Sequence, residues 1–143
     1  MAASVDAEFD ELSYRVIGVA LEVHHALGPG LLESMYHAAM RVALRHRGFK
    51  YESEVRVPVQ FEGESIGVAR IDLIIDKSLI LELKAVHALH DVHIAQVRAY
   101  LILSGLTVGL LMNFNSSKLV VRRVVLTGCC SDESTSRPAR SVT

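Results

Sequence analysis

Apolar residues recur at Phe9, Leu12, Val16, Val19, Val23 and Leu27. Steps of three and four put one apolar stripe along a helix, which predicts a first helix from about Asp6 to Leu27. Gly28-Pro29-Gly30 then offers a helix-ending glycine and a proline that cannot continue the helix. A tight turn should therefore lead into a second helix, from about Leu31 to Arg47, with Gly48 ending it. The period changes next. In "FKYESEVRVPVQFEGE" Val55, Val57, Val59 and Phe61 alternate with Glu54, Arg56 and Gln60, the pattern of a half-exposed strand, and Pro58 assigns that strand to a sheet edge. "IGVARIDLIID" and "LILELKA" read as two more strands, a hairpin turning near Asp76-Lys77-Ser78. A third helix is predicted from His90 to Ser104, then strands "TVGLLMNF" and "LVVRRVVL" on either side of the polar Asn115-Ser116-Ser117.

The order helix, helix, three strands, helix, two strands predicts an α/β sandwich, a central sheet covered by helices. From Thr127 onward Ala139 and Val142 are the only aliphatic residues, too few to hold a fold. We expect one domain over residues 6–126 and a tail over 127–143. The 143-residue chain is 50% hydrophobic, enough for one good core. Its net charge of -1 gives no global positive field to attract a polyanion, so any basic surface must be local. "MAASVDAEFDEL" has no basic segment leading into an apolar one, so the expected location is the cytoplasm. "AYLILSGLTVGLLMNF" falls short of the roughly 20 apolar residues that span a bilayer, and no membrane partner is expected. Cys129 and Cys130 are adjacent, which suits neither a disulfide framework nor a zinc site.

The candidate chemistry lies in "LILELKAV", Leu79 to Val86, where Glu82 and Lys84 interrupt an aliphatic run. With Asp76, Lys77 and Ser78 as a three-residue turn, Ile75 faces Leu79, and counting back sets Asp72 opposite Glu82 and Arg70 opposite Lys84. Alternation then predicts Ile71, Leu73, Ile75, Leu79, Leu81 and Leu83 on the core face and the charges together on the other. Two carboxylates about 5 Å apart repel by about 3 kcal/mol at an effective dielectric of about 20. Only a cation or a proton relieves that. Carboxylate oxygens suit a hard divalent ion such as Mg2+, with Mn2+ as a substitute. Lys84 is placed to hold a water and to offset charge developing on a phosphate. The plain alternative is a surface ion pair between Glu82 and Lys84.

Asp72 followed by Glu82-Leu83-Lys84 resembles the signature of the PD-(D/E)XK nuclease superfamily, with Ile71 where the eponymous proline would stand. "GPGLLESMY", with Gly30, Glu33 and Tyr36, resembles the G-x-x-E-x-x-Y motif of a small bacterial family within that superfamily. The match continues through "HIAQVRAYL" and "RRVV", from roughly Glu11 to Val125. The resemblance implies a restriction-endonuclease-like fold, a divalent metal on Asp72 and Glu82, Lys84 as catalytic lysine and Glu33 as a further acid at or near the metal. It also implies a nucleic-acid substrate, DNA or RNA, and many small nucleases use a second copy, so a homodimer is a further expectation. His93, Gln96 and Tyr100 form a polar stripe at i, i+3 and i+7. Gln96 and Tyr100 are expected to orient substrate or water, His87 and His90 to be surface or capping residues, and His24 and His25 to end the first helix. Arg41, Arg45, Arg47 and Lys50 gather positive charge near the end of the second helix, where the helix dipole favours it in any case. A non-catalytic binding module that keeps the fold is the competing reading.

Overall fold

The structure is a computed structural model that describes residues 2–126, with side chains described from residue 11. The expected tail and its two cysteines lie outside the described residues. Helices α1 (Ala2–Leu27) and α2 (Glu33–His46) precede strands β1 (Tyr51–Phe61), β2 (Glu64–Ile75) and β3 (Leu79–Lys84). Helix α3 (Asp91–Ser104) and strands β4 (Val108–Asn113) and β5 (Val120–Val125) complete the order. The five strands form one mixed sheet in sequence order, antiparallel except where β4 runs parallel to β3. A parallel neighbour needs a crossover, and α3 provides it.

β3 and β4 are the most apolar strands and lie in the middle, and β1 is an edge, as Pro58 requires. α1 and α2 cover one face, where Val16, Val23, Met40 and Leu44 pack on Leu73, Ile75, Leu81, Leu83, Leu110 and Met112. α3 covers the other, setting Val97 and Leu101 on Ile71, Ile74, Ile80, Leu111 and Val124. Among the described residues no helix is long and apolar enough to cross a membrane.

α2 starts at Glu33, two residues later than its periodicity suggests, because Tyr36 organises the loop before it. The fully buried phenol donates to Gly28 O at 2.5 Å and accepts from Leu31 N at 3.2 Å, and its ring stacks on Phe114 at 4.8 Å. Leu31 N–H is thereby kept out of the helix. His24, buried at the end of α1, makes a 2.9 Å hydrogen bond with Ser116 O. Arg47 bonds Ala43 O and pairs with Glu22, so part of the basic cluster serves the helix end. His90 and His93 cap α3: His90 N donates to His93 Nδ1 at 2.9 Å.

Gly109 sets how closely α3 approaches the sheet. A Cβ there would stand 2.8 Å from Cγ1 of Val97, a β-branched side chain with little rotamer freedom. Gly109→Ala is expected to cost about 1–3 kcal/mol in urea denaturation, and adding Val97→Ala should recover part of the loss. Equal stabilities for Gly109→Ala and the parent would show that α3 docks less tightly than described.

Candidate active site

β2 and β3 pair from Ile75↔Leu79 to Leu73↔Leu81. One residue further, side chains take over from the backbone. Asp72 N donates to Glu82 Oε1 at 2.9 Å, and Leu83 N donates to Asp72 Oδ2 at 2.9 Å. Each carboxylate occupies the place of the opposite strand's carbonyl, so the strands fork. The β1 side is interrupted at the same point. The ladder passes from Ser53↔Leu73 to Val55↔Ile71 without a pair between them, Glu54 takes a left-handed φ of 53°, and Asp72 O accepts from His37 Nε2 at 3.2 Å.

The interruption corrects two expectations. Ile71 does not join Leu73 and Ile75 under α1 and α2; it packs with Ile74 and Ile80 under α3, because alternation is broken at Asp72. Arg70 does not face Lys84, because the ladder has ended; it lies opposite Arg56, with Glu54 at 3.6 Å.

The six candidate residues gather round this fork. Asp72 and Glu82 are its two jaws. Lys84, at the end of β3, donates through Nζ to Gln96 Oε1 on α3 at 2.9 Å, so it is held by an amide and does not form the surface ion pair considered above. Tyr100, one turn beyond Gln96, is hydrogen-bonded to it, and its hydroxyl pKa is raised by burial and then by the charges of Glu82 and Asp72. Glu33 enters from the opposite helix layer and lines a pocket of about 110 Å³ with Ser34, His37, Glu54, Arg70 and Asp72. His93 sits where Lys84, His90 and Glu33 all act on it; burial first, then Lys84 and His90, lower its pKa against Glu33. A roomier cavity of about 410 Å³, by Lys50, Tyr51 and Lys77 at the hairpin end, includes none of the six.

Two supports were not singled out from the sequence. His37, four residues after Glu33, holds the Asp72 carbonyl. Asn113, 2% exposed, bonds both Val86 N and Val86 O, at 3.0 and 2.9 Å, and so fixes the chain leaving Lys84. The legible signal was an Asn inside the otherwise aliphatic "VGLLMNF".

Glu82 is 3% exposed. Its pKa is pushed up to about 8, by burial first and then by the Asp72 charge, while the Asp72 N–H and Lys84 act the other way. Neither carboxylate has an ion-pair partner among the described residues. Two hard oxygen ligands, each with one oxygen anchored by an amide and the two carboxyl groups in hydrogen-bond contact with each other, fit a divalent cation that takes one or two carboxylates and keeps waters. Among the described residues no group of three His, Cys, Asp or Glu side chains is drawn together as a full cage, so Glu33 stands off from the pair.

The raised pKa has a definite sign in stability. A carboxyl that binds its proton more tightly folded than unfolded contributes fully below about pH 4.5, and the contribution is lost as pH rises through about 8. In chelator, the melting temperature of the parent should therefore fall across that window relative to Glu82→Gln, by an equivalent of a few kcal/mol at most. Parallel curves for the two proteins would show that Glu82 ionises normally.

A family model described as the PD-(D/E)XK nuclease superfamily matches residues 10–124. No curated protein sequence matches the chain. Among solved structures, the crystal structure of SSO0001 aligns with a TM-score of 0.54 at 21% identity, over 64% of this chain and 48% of that one. That likeness is one of fold, and this chain spans about half the length of that protein.

Proposed function

This chain belongs to the PD-(D/E)XK nuclease superfamily, and from that premise we propose that it is a divalent-metal-dependent phosphodiesterase acting on nucleic acid in the cytoplasm, of the kind marked by the G-x-x-E-x-x-Y motif. The observation that carries the proposal is the fork: Asp72 and Glu82 interlock across two strands, neither in an ion pair among the described residues, and Gln96 holds the Lys84 ammonium beside them. Asp72 and Glu82 would hold Mg2+, or Mn2+ in its place, with Glu33 near enough to take part through a water. What such an ion supplies when bound is charge compensation and Lewis acidity toward a phosphoryl oxygen.

The chain's own residues account for the rest. Gln96 fixes the Lys84 ammonium, which places positive charge where a phosphate gains negative charge and orients the attacking water. Tyr100, held by Gln96 and kept protonated by the neighbouring carboxylates, is a hydroxyl donor for substrate or water. Glu33 forms the opposite wall of the small pocket. The hydrophobic layers on both sides hold these groups on rigid strands and a capped helix, as positional catalysis requires.

A binding module that keeps the fold without turnover is the second reading, favoured by the net charge of -1. Incubation of the purified protein with mixed single- and double-stranded DNA and RNA, in Mg2+, Mn2+ or chelator, separates the two. Cleavage is expected with metal, abolished by chelator and reduced about 100-fold or more by Lys84→Ala. Binding without cleavage in either metal would establish the module instead.

A further inference from the structure

Two arginines face each other where β2 has lost its inner neighbour. β3 pairs β2 only from Leu73 to Ile75, while β1 follows β2 without a break from Val55↔Ile71 to Val59↔Gly67. Within that stretch Arg56 is the direct partner of Arg70. Val55, Val57 and Ile71 pack in the layer under α3, so by alternation both arginines project to the other face, the one that α2 covers. Arg70 there borders the small pocket that Glu33, His37 and Asp72 line. Its charge also reaches Tyr100, whose pKa burial and the two carboxylates raise and Arg70 draws back.

Like charges directly opposite each other in a ladder destabilise it, and little in the protein offsets this pair. Among the described residues Arg56 has no ion pair, and Arg70 has only the exposed Glu54, at 3.6 Å, longer than a hydrogen bond. An exposed contact of that kind holds Arg70 weakly. Opposite residues of an antiparallel ladder stand about 4.5–5.5 Å apart, so both side chains reach a single anion placed between them. Two planar guanidinium forks suit a phosphate, which accepts paired hydrogen bonds and carries the charge that the arginines lack. Next along the same face come the ladder partners Pro58 and Val68, with Val68 57% accessible. An apolar step beside a phosphate site suits the sugar and base that a nucleotide brings and a free anion lacks. About 7 Å of extended strand separates Arg70 from Asp72, which sets the site beside the fork and not on it.

Resting on the nuclease reading above, we propose that Arg56 and Arg70 together hold a backbone phosphate of the nucleic acid, next to the phosphate acted on at the fork. The pair is the local basic surface of a chain whose net charge of -1 attracts no polyanion as a whole.

Fluorescence anisotropy of the full chain with labelled mixed-sequence DNA and RNA tests it, in Mg2+ and in a Lys84→Ala background that suppresses turnover, with thermal melts to verify folding. Arg56→Gln and Arg70→Gln should each weaken binding about 3–10-fold. Because both serve one phosphate, the double variant should lose less than the product of the single losses. Its plot of log affinity against log salt should be shallower by about 0.7–0.9, the share of one phosphate contact. Arg56→Lys and Arg70→Lys should keep the parent slope, and Arg45→Gln, at the exposed end of α2, should change neither affinity nor slope. With Lys84 intact the glutamine variants should raise KM more than they lower kcat, a reading that does not need the Lys84→Ala background. Unchanged salt slopes, losses from Arg45→Gln equal to those from the pair, or a folded chain that binds no nucleic acid would overturn the proposal. Binding that depends on the pair in a parent that never cleaves would sustain it and overturn the nuclease reading; cleavage with a KM indifferent to both arginines would do the reverse.

Discussion

Two carboxylates stand where two main-chain carbonyls would otherwise close a β-ladder. Asp72 and Glu82 each accept an amide hydrogen from the other's strand, and much else depends on that exchange. It ends the pairing of β2 with β3, breaks alternation along β2 and holds two carboxyl groups together in a place water scarcely reaches. The cleft, the position of Lys84 at its rim and the open stretch of β2 before it are consequences of one local substitution of side chains for backbone.

Such an arrangement persists only if the surroundings hold it. The strands on either side are among the most buried parts of the molecule, and they are clamped between α1 and α2 on one face and α3 on the other. Gly109 lets α3 approach closely enough to bring Gln96 to Lys84. Asn113 fixes the chain that leaves Lys84, and Tyr36 fixes the loop from which Glu33 enters. Core packing supplies the stability that an unbalanced carboxylate pair removes, the usual relation between a scaffold and a functional site.

Much of this was legible in the sequence because it is local. Periodicity located the eight elements, Pro58 marked an edge, and the three-residue turn fixed the hairpin register near Ile75 and Leu79. Beyond Leu73 the ladder does not continue, because the Asp72 side chain intrudes on the backbone pairing that an unbroken register would require. For that reason Ile71 and Arg70 were assigned wrong neighbours while Asp72 and Glu82 were still brought together. His37 and Asn113 escaped notice for a different reason. Their partners are backbone groups on other elements, 35 and 27 residues away, and no spacing rule reveals such bonds.

The central claim is that Asp72 and Glu82 form a mutually repelling pair suited to a divalent cation. Thermal melts of the parent and Asp72→Asn above pH 8, in chelator and in millimolar Mg2+, test it most directly. Asn keeps the shape and still offers an oxygen to Leu83 N–H while removing one charge. In chelator the variant should be the more stable by about 1 kcal/mol, the Coulomb repulsion reduced for solvent screening. Mg2+ should raise the melting temperature of the parent by mass action and leave the variant unchanged. A parent indifferent to Mg2+, together with a variant that melts lower in chelator, would contradict the claim and make Asp72 a structural carboxylate.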